Sequence, residues 1–286
     1  MNATNLHRVH CSSRAGNWAV AVGAAAVLTL AGCQTVHTTQ GGVVGVDRQQ
    51  TMLVSSDTIN RSAAQEYQKV IADAQRKNVL DRDPQQAERV RRIANRLIPA
   101  TAAFRGDAPG WRWEVHVLSS NEVNAWCMPG GKIAVYTGLI AKLNITDDEL
   151  AAVMGHEIAH ALREHGREQY SKAMAQQVGL TVVGVLLGAG QAATELSQRA
   201  FDLFVNLPNS REDETEADRI GVELAARAGF DPRAAQTLWQ KMSHSGGGEP
   251  PQILSTHPSS STRQQDLQVY AERVMPLYEA ARKRQP

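Results

Sequence analysis

The stretch Thr146-Asp147-Asp148-Glu149-Leu150-Ala151-Ala152-Val153-Met154-Gly155-His156-Glu157-Ile158-Ala159-His160-Ala161-Leu162 decides how the rest of the chain is read. Thr146 with Glu149 three residues on is the pattern of a helix-starting capping box. Leu150, Val153, Met154, Ile158 and Leu162 follow at helical spacing, so a helix is predicted. On a helix, His156 and His160 project from one face and offer two imidazoles to one divalent ion. Glu157, one step round, points at a water on that ion. Two imidazoles do not complete a hydrolytic metal site, which commonly takes three protein ligands and keeps one position for solvent.

One class of such sites finds its third ligand in a His ten residues after the first, but that position here is Gly166, with His165 a decoy one residue away. The other common solution is a carboxylate from a second helix. Ser210-Arg211-Glu212-Asp213 repeats the capping pattern and leads into Glu214-Thr215-Glu216-Ala217-Asp218, then into an apolar run that stops near Gly229-Phe230-Asp231-Pro232. Glu214 and Asp218 are one helical turn apart. Like charges so placed weaken a helix unless something positive sits beside them, and a metal ion with its ligating histidines would supply it. Glu216 is the competing carboxylate, turned about 200° from Glu214 at about 100° per residue.

These motifs in combination, His156-Glu157-x-x-His160 and Glu214-x-x-x-Asp218 within Glu-x-x-Ala-Asp, resemble the gluzincin metallopeptidase family of HtpX and the CAAX prenyl endopeptidases. The likeness is strongest to its periplasmic branch, that of BepA- and LoiP-like lipoprotein proteases, and runs from roughly Ala87 to Tyr270. It implies an α+β, mainly helical, zincin-like metallopeptidase domain with a small antiparallel sheet next to the metal-binding helix. It also implies one Zn²⁺ per chain held by His156, His160 and Glu214, with Glu157 as general base. Asp218 is implied to orient a ligand or handle a proton. Asn124-Ala125-Trp126 before Pro129-Gly130-Gly131 resembles the family's edge strand, which pairs with extended substrate; a plain core hairpin is the rival reading. Ser255-Thr256-His257-Pro258 with Arg263 resembles a segment whose His contacts the transition state or masks the open metal position. His257 is thus a third catalytic candidate, and Arg263 joins Asn124 and Ala125 as a substrate contact. Cys127, in the edge-strand run, is read as a small buried side chain rather than a metal ligand.

Working outward, Trp111, Trp113, Val115 and Val117 alternate with polar residues as in a half-buried strand, and Val123 to Cys127 and Lys132 to Tyr136 flank the Pro-Gly-Gly turn. Before them, Ala64, Tyr67, Ile71 and Ala74 predict one helix. Asp83-Pro84 opens another carrying Val90, Ile93 and Leu97. A loop at Ser245 to Pro251 precedes a final helix from about Thr262. The nearly uncharged run Gly179 to Ala193 reads as a buried or hydrophobic hairpin helix or, alternatively, as a membrane-dipping or substrate-covering element.

At the N-terminus, Arg8 and Arg14 precede an uncharged run from Trp18 to Gly32 that is too short to span a bilayer comfortably and reads as a secretory signal. It ends Leu30-Ala31-Gly32-Cys33, which resembles the lipobox of bacterial lipoproteins, so residues 1–32 are expected to be removed and Cys33 acylated. The rival reading is an ordinary signal peptide with an incidental Cys. Gln34, rather than Asp, after the Cys favours the outer membrane over the inner. Residues 33–60 read as lipidated Cys and flexible tether, and 61–286 as a single zinc metallopeptidase domain.

With 30 Lys+Arg against 29 Asp+Glu in 286 residues, the charge balance gives no electrostatic pull on nucleic acid. Three cysteines with no metal spacing exclude a zinc ribbon or a disulfide scaffold. The expectation is a membrane-tethered, periplasm-facing endopeptidase of the bacterial envelope. Its substrates would be unfolded or misassembled envelope polypeptides in protein quality control, with outer-membrane assembly machinery as a candidate partner. The alternative is a periplasmic chaperone or assembly factor with little or conditional proteolysis.

Overall fold

A computed structural model describes residues 34–186, 205–244, 252–257 and 261–284. The signal segment, the acylation candidate Cys33 and the loop from Ser245 to Pro251 lie outside the described residues. Of the apolar run from Gly179, the part up to Leu186 is described, as the end of a helix. Among the described residues no helix is long and apolar enough to cross a membrane.

Strands β1 (Gln34–Val36) and β2 (Gln50–Met52) pair as a small ribbon. Helix α1 (Ser56–Arg76) starts at Ser55, whose side chain accepts from Thr58 N–H, and buries Ile59, Ala63, Tyr67, Ile71 and Ala74. Helix α2 (Pro84–Ala100) is capped by Asp83, which accepts from the N–H groups of Gln85 and Gln86, with Pro84 in the first turn where no donor is missed. Both helices match the predicted periodicity.

Strands β3 (Glu114–Leu118), β4 (Ala125–Met128) and β5 (Lys132–Tyr136) form a sheet in the order β3-β5-β4. The Pro-Gly-Gly turn joins β4 and β5 in an antiparallel hairpin, and Gly130 and Gly131 take φ of 79° and 82° there. A Cβ on Gly131 would also lie 2.6 Å from the Trp113 ring. Strand β3 runs parallel to β5, so the sheet is mixed. Alternation marked β3 as a half-buried strand, but alternation carries no information about the direction of the neighbour. The consequence for function is that β4 is an edge.

Helix α3 (Thr137–Leu143) stops at Asn144, which adopts the left-handed conformation at φ 43°. Helix α4 (Asp147–Leu162) then starts from the predicted capping box, Thr146 with Glu149. It is buried from Glu149 to Leu162 and lies at the centre, against α2, β4 and two later helices, α6 (Arg211–Arg227) and α7 (Ala234–His244). Helix α5 (His165–Leu186) follows α4 after a break at Glu164, whose φ is 53°. Helix α6 has the second predicted capping box, Ser210 with Asp213. The short α8 (Gln252–Thr256) and the long α9 (Ser261–Arg282) complete the described chain.

The crossing of α4 and α6 is set by two glycines. A Cβ on Gly221 would lie 2.8 Å from the His156 backbone N and 2.9 Å from its Cα, and one on Gly155 would lie 2.9 Å from the Gly221 carbonyl oxygen. Backbone cannot rotate away as a side chain can. Gly221→Ala should therefore prise apart the helix bearing the two histidines and the helix bearing Glu214, at about 1–3 kcal/mol of overpacking. Urea unfolding checks it; stability equal to the parent chain would show that the crossing tolerates a methyl group.

The tether expected over residues 33–60 is corrected by the structure, because Thr35 onward belongs to the same folded unit as the rest of the chain. Val44 and Val46 join the main core, Val44 N–H donates to the buried Glu223 carboxylate at 3.0 Å, and Gln40 N–H donates to Phe104 O at 2.7 Å. Gly42 and Gly45, at φ 60° and 71°, let the segment follow the surface without regular structure. An irregular strap fixed by such contacts leaves no hydrophobic period in the sequence, which is why it reads as linker. The first helix begins at Ser56.

Candidate metal centre

Helix α4 supplies His156, Glu157 and His160, α6 supplies Glu214 and Asp218, and the residue directly after α8 is His257; all six are buried. His156 Nε2 lies 3.1 Å from His160 Nε2 and 3.5 Å from Glu214 Oε2, and His160 Nε2 lies 3.3 Å from Glu214 Oε1. The ligand edges of a tetrahedral ion with bonds of about 2.0–2.1 Å are about 3.3 Å, so these three side chains fit one such ion. Two imidazole nitrogens at this separation share at most one proton, whereas a cation between them satisfies both. Glu157 Oε1 is buried and makes no hydrogen bond. A buried acceptor left in this way beside paired imidazoles fits a metal-ligating pocket.

His257 Nδ1 lies 3.1 Å from His156 Nε2 and 2.8 Å from Glu214 Oε1, and its Nε2 lies 3.4 Å from Glu157 Oε1. Its ring therefore stands at the fourth corner of the same cluster. Asp218 Oδ1 accepts from His156 Nδ1 at 3.0 Å. Because an ionised carboxylate only accepts, that contact puts a proton on Nδ1 and aims the Nε2 lone pair inward.

The positive partner that the acidic pair on α6 requires is Arg263 as well as the histidines. Its Nε and Nη2 donate to Asp218 at 2.5 and 2.8 Å, and its Nη1 lies 2.9 Å from Glu214 Oε2. The guanidinium also stacks on Trp239, 3.6 Å from the ring centroid. Arg263, expected as a substrate contact, is buried and pairs with two carboxylates of the cluster. Trp239 carried no signal in the sequence beyond an apolar helical position.

Burial alone would lower the His156 imidazole, but Glu214 and Asp218 outweigh it and raise its pKa to about 9. Burial holds His160 well below its ordinary value and raises Glu157. Glu214 is held low despite its burial, through His257 and His156, and Asp218 likewise through Arg263. In the metal-free protein near pH 7, His156 is consequently charged. A metal ion must displace that proton, so loading should release about one proton at pH 7 and none above pH 10. Calorimetry in buffers of different ionisation enthalpy reads this directly, and buffer-independent heats at pH 7 would contradict it.

The cleft beside the cluster is lined by Ala125, Trp126, Cys127 and Pro129 from the sheet edge and by Glu157, His160 and His257. Asn124 O accepts from Tyr136 N–H. Main-chain groups alternate sides along an antiparallel strand, so those of Ala125 and Cys127 point away from β5. Asn124 does not line the cleft; its side chain is buried and accepts from Ala125 N–H at 2.9 Å. Cys127 is buried, and burial raises its thiol well above the ordinary value, which keeps it protonated and outside the ligand cluster.

His165, the decoy of the spacing argument, lies 2.8 Å from His160 through the two Nδ1 atoms, and Glu216, the rejected ligand, lies 3.0 Å from His165 Nε2. On one continuous helix a residue five positions on would point about 140° away. The left-handed break at Glu164 brings the His165 ring back to His160.

Residues 84–271 match the sequence profile of Peptidase family M48. The chain is 37% identical over 181 residues to mitochondrial metalloendopeptidase OMA1 of Arabidopsis thaliana, covering 63% of this chain and 35% of that protein. It is 34% identical over 185 residues to the human mitochondrial metalloendopeptidase OMA1, covering 59% and 34%. It is 30% identical over 174 residues to the beta-barrel assembly-enhancing protease of Escherichia coli strain K12, covering 56% and 35%. The chain spans between 33% and 50% of the length of these and several other curated relatives that it matches.

Proposed function

Because the chain belongs to peptidase family M48, we propose that it is a zinc-dependent endopeptidase acting on unfolded or misassembled polypeptides of a bacterial envelope. The observation that carries the reading is the convergence of His156 Nε2, His160 Nε2 and Glu214 on one point beside Glu157, whose buried Oε1 makes no hydrogen bond. His156, His160 and Glu214 would hold the ion, and imidazole with carboxylate is a donor set suited to zinc. When bound, zinc acidifies a coordinated water and polarises a peptide carbonyl.

The chain's own residues do the rest. Glu157, whose burial favours the protonated form more than usual, takes the proton of the attacking water and returns it to the leaving amine. The outward Ala125 carbonyl and Cys127 main-chain groups receive an extended peptide as an added strand, which binds by backbone and so accepts many sequences. The His257 ring stands in the same cluster, with Nε2 3.4 Å from Glu157 Oε1, and would have to move for substrate to enter; its role would be to donate to the developing oxyanion.

The lipobox-like Leu30-Ala31-Gly32-Cys33 supports attachment to a membrane through Cys33, with the periplasmic face of the outer membrane as the site. Likeness to a protease named for assisting β-barrel assembly supports outer-membrane assembly machinery as partner. A second reading, a client-holding assembly factor that cleaves only conditionally, is favoured by the His257 ring standing in the reactive corner.

The full chain should contain about one zinc and cleave an unfolded protein such as reduced casein. A chelator should abolish cleavage and stoichiometric zinc restore it. Cleavage that is unaffected by zinc removal would defeat the reading.

A further inference from the structure

A second buried cluster lies behind the metal ligands, built of His165, Asp213 and Glu216 with Arg48 and Arg163. Its three His, Asp and Glu residues are close enough together to suggest another ion. The arginines argue against that: Arg48 Nε donates to Glu216 Oε1 at 2.7 Å, Arg163 Nε to Glu216 Oε2 at 2.9 Å, and Arg48 Nη2 to Asp213 Oδ1 at 3.2 Å. The carboxylates are already neutralised by fixed guanidiniums, and an added cation would face two positive charges.

The hydrogen-bond polarity of the cluster points elsewhere. Glu216, gripped by two arginines, is a carboxylate and only accepts, so the contact to His165 Nε2 at 3.0 Å requires the proton on that nitrogen. The Nδ1 atoms of His165 and His160 lie 2.8 Å apart, so one hydrogen bond joins them, and with His160 Nε2 turned to the metal point its Nδ1 is the donor and His165 Nδ1 the acceptor. That leaves His160 Nε2 as a bare lone pair, directed at His156 Nε2 and Glu214. The arrangement repeats what Asp218 and Arg263 do for His156, one residue longer.

The outer end of this relay is the N-terminal strap. Arg48 lies on it and also binds Glu168 through Nη1 and Nη2, at 2.8 and 2.9 Å. Arg163, fully buried, donates from Nη1 to the hydroxyls of Thr38 and Thr39 and from Nη2 to Arg48 O. The strap precedes residues 84–271, the part matched by the family profile.

Resting on the zinc reading above, we propose that the strap is a positioning device for the metal centre: Arg48 and Arg163 fix Glu216, Glu216 fixes His165, and His165 sets the tautomer and ring orientation of the ligand His160. His165, Glu216 and Arg48 are positioning residues, acting on the reaction only through His160.

The test uses the full chain with His165→Phe, which keeps a ring without its nitrogens, and Arg48→Met, a milder change at the partly exposed end of the relay. Zinc affinity is measured by chelator competition. The ring nitrogens of His160 are read by ¹⁵N NMR in the metal-free protein, and circular dichroism monitors folding. Loss of partners behind a ligand typically weakens metal binding about 10–100-fold. His165→Phe is expected to fall in that range, Arg48→Met near its lower end, and Arg48→Lys to recover part of the loss. The His160 proton should reside on Nδ1 in the parent chain and redistribute in His165→Phe. Unchanged zinc affinity in folded His165→Phe, or a parent-chain His160 protonated on Nε2, would overturn the proposal. A parent chain that binds no zinc yet carries the Nδ1 proton would instead overturn the zinc reading and leave the relay standing as a structural one.

Discussion

Glu157→Gln is expected to lower the rate of peptide cleavage by a factor of about 10²–10⁴, the usual contribution of a positioned general base. The substitution keeps side-chain volume and removes only the capacity to take up a proton. Glu157 Oε1 makes no hydrogen bond and the side chain is not among the groups converging on the metal point, so zinc content and thermal unfolding should match the parent chain. The same variant separates the two functional readings. Client holding through the β4 edge should survive it, whereas turnover should not. Single-turnover cleavage of an unfolded substrate, with binding measured in parallel, is the check; a variant that cleaves at the parental rate would place the base elsewhere.

Arg263→Met is expected to destabilise the metal-free protein by about 3–5 kcal/mol, the range for removing one partner of a buried ion pair. Arg263 is buried, donates twice to Asp218 and touches Glu214, so its loss leaves two carboxylates one helical turn apart with less positive charge beside them. Methionine retains the packing on Trp239, which isolates the charge term. Zinc binding should recover part of the loss by supplying positive charge on the Glu214 side. Urea unfolding with and without zinc measures both quantities. Unchanged stability together with a raised KM would return Arg263 to the role of substrate contact.

The ligands were legible because the information is local. His156 and His160 share a face through a four-residue spacing, and both capping boxes lie within four residues of sequence. Glu214 needed the motif around Asp218, since nothing in the helical period alone tells two carboxylates on the same helix apart. The supporting shell was not legible for a related reason. Arg48 meets Glu216 across 168 positions and His156 meets His257 across 101, and no periodicity encodes such pairings. The place of His165 is not encoded in ligand spacing, because it is the turn at Glu164 that gives it a partner on a ligand. The strap was taken for a tether because its order comes from side chains gripping backbone, which leaves no alternation to read.

The central claim is that His156, His160 and Glu214 grip one zinc ion. Anomalous X-ray scattering recorded on both sides of the zinc edge, from crystals of the purified protein, tests it most directly. The account predicts a single peak per chain, about 2.0–2.2 Å from both Nε2 atoms and a Glu214 oxygen. No peak at that point in zinc-loaded crystals, or a peak with Glu214 turned away from both rings, would contradict it.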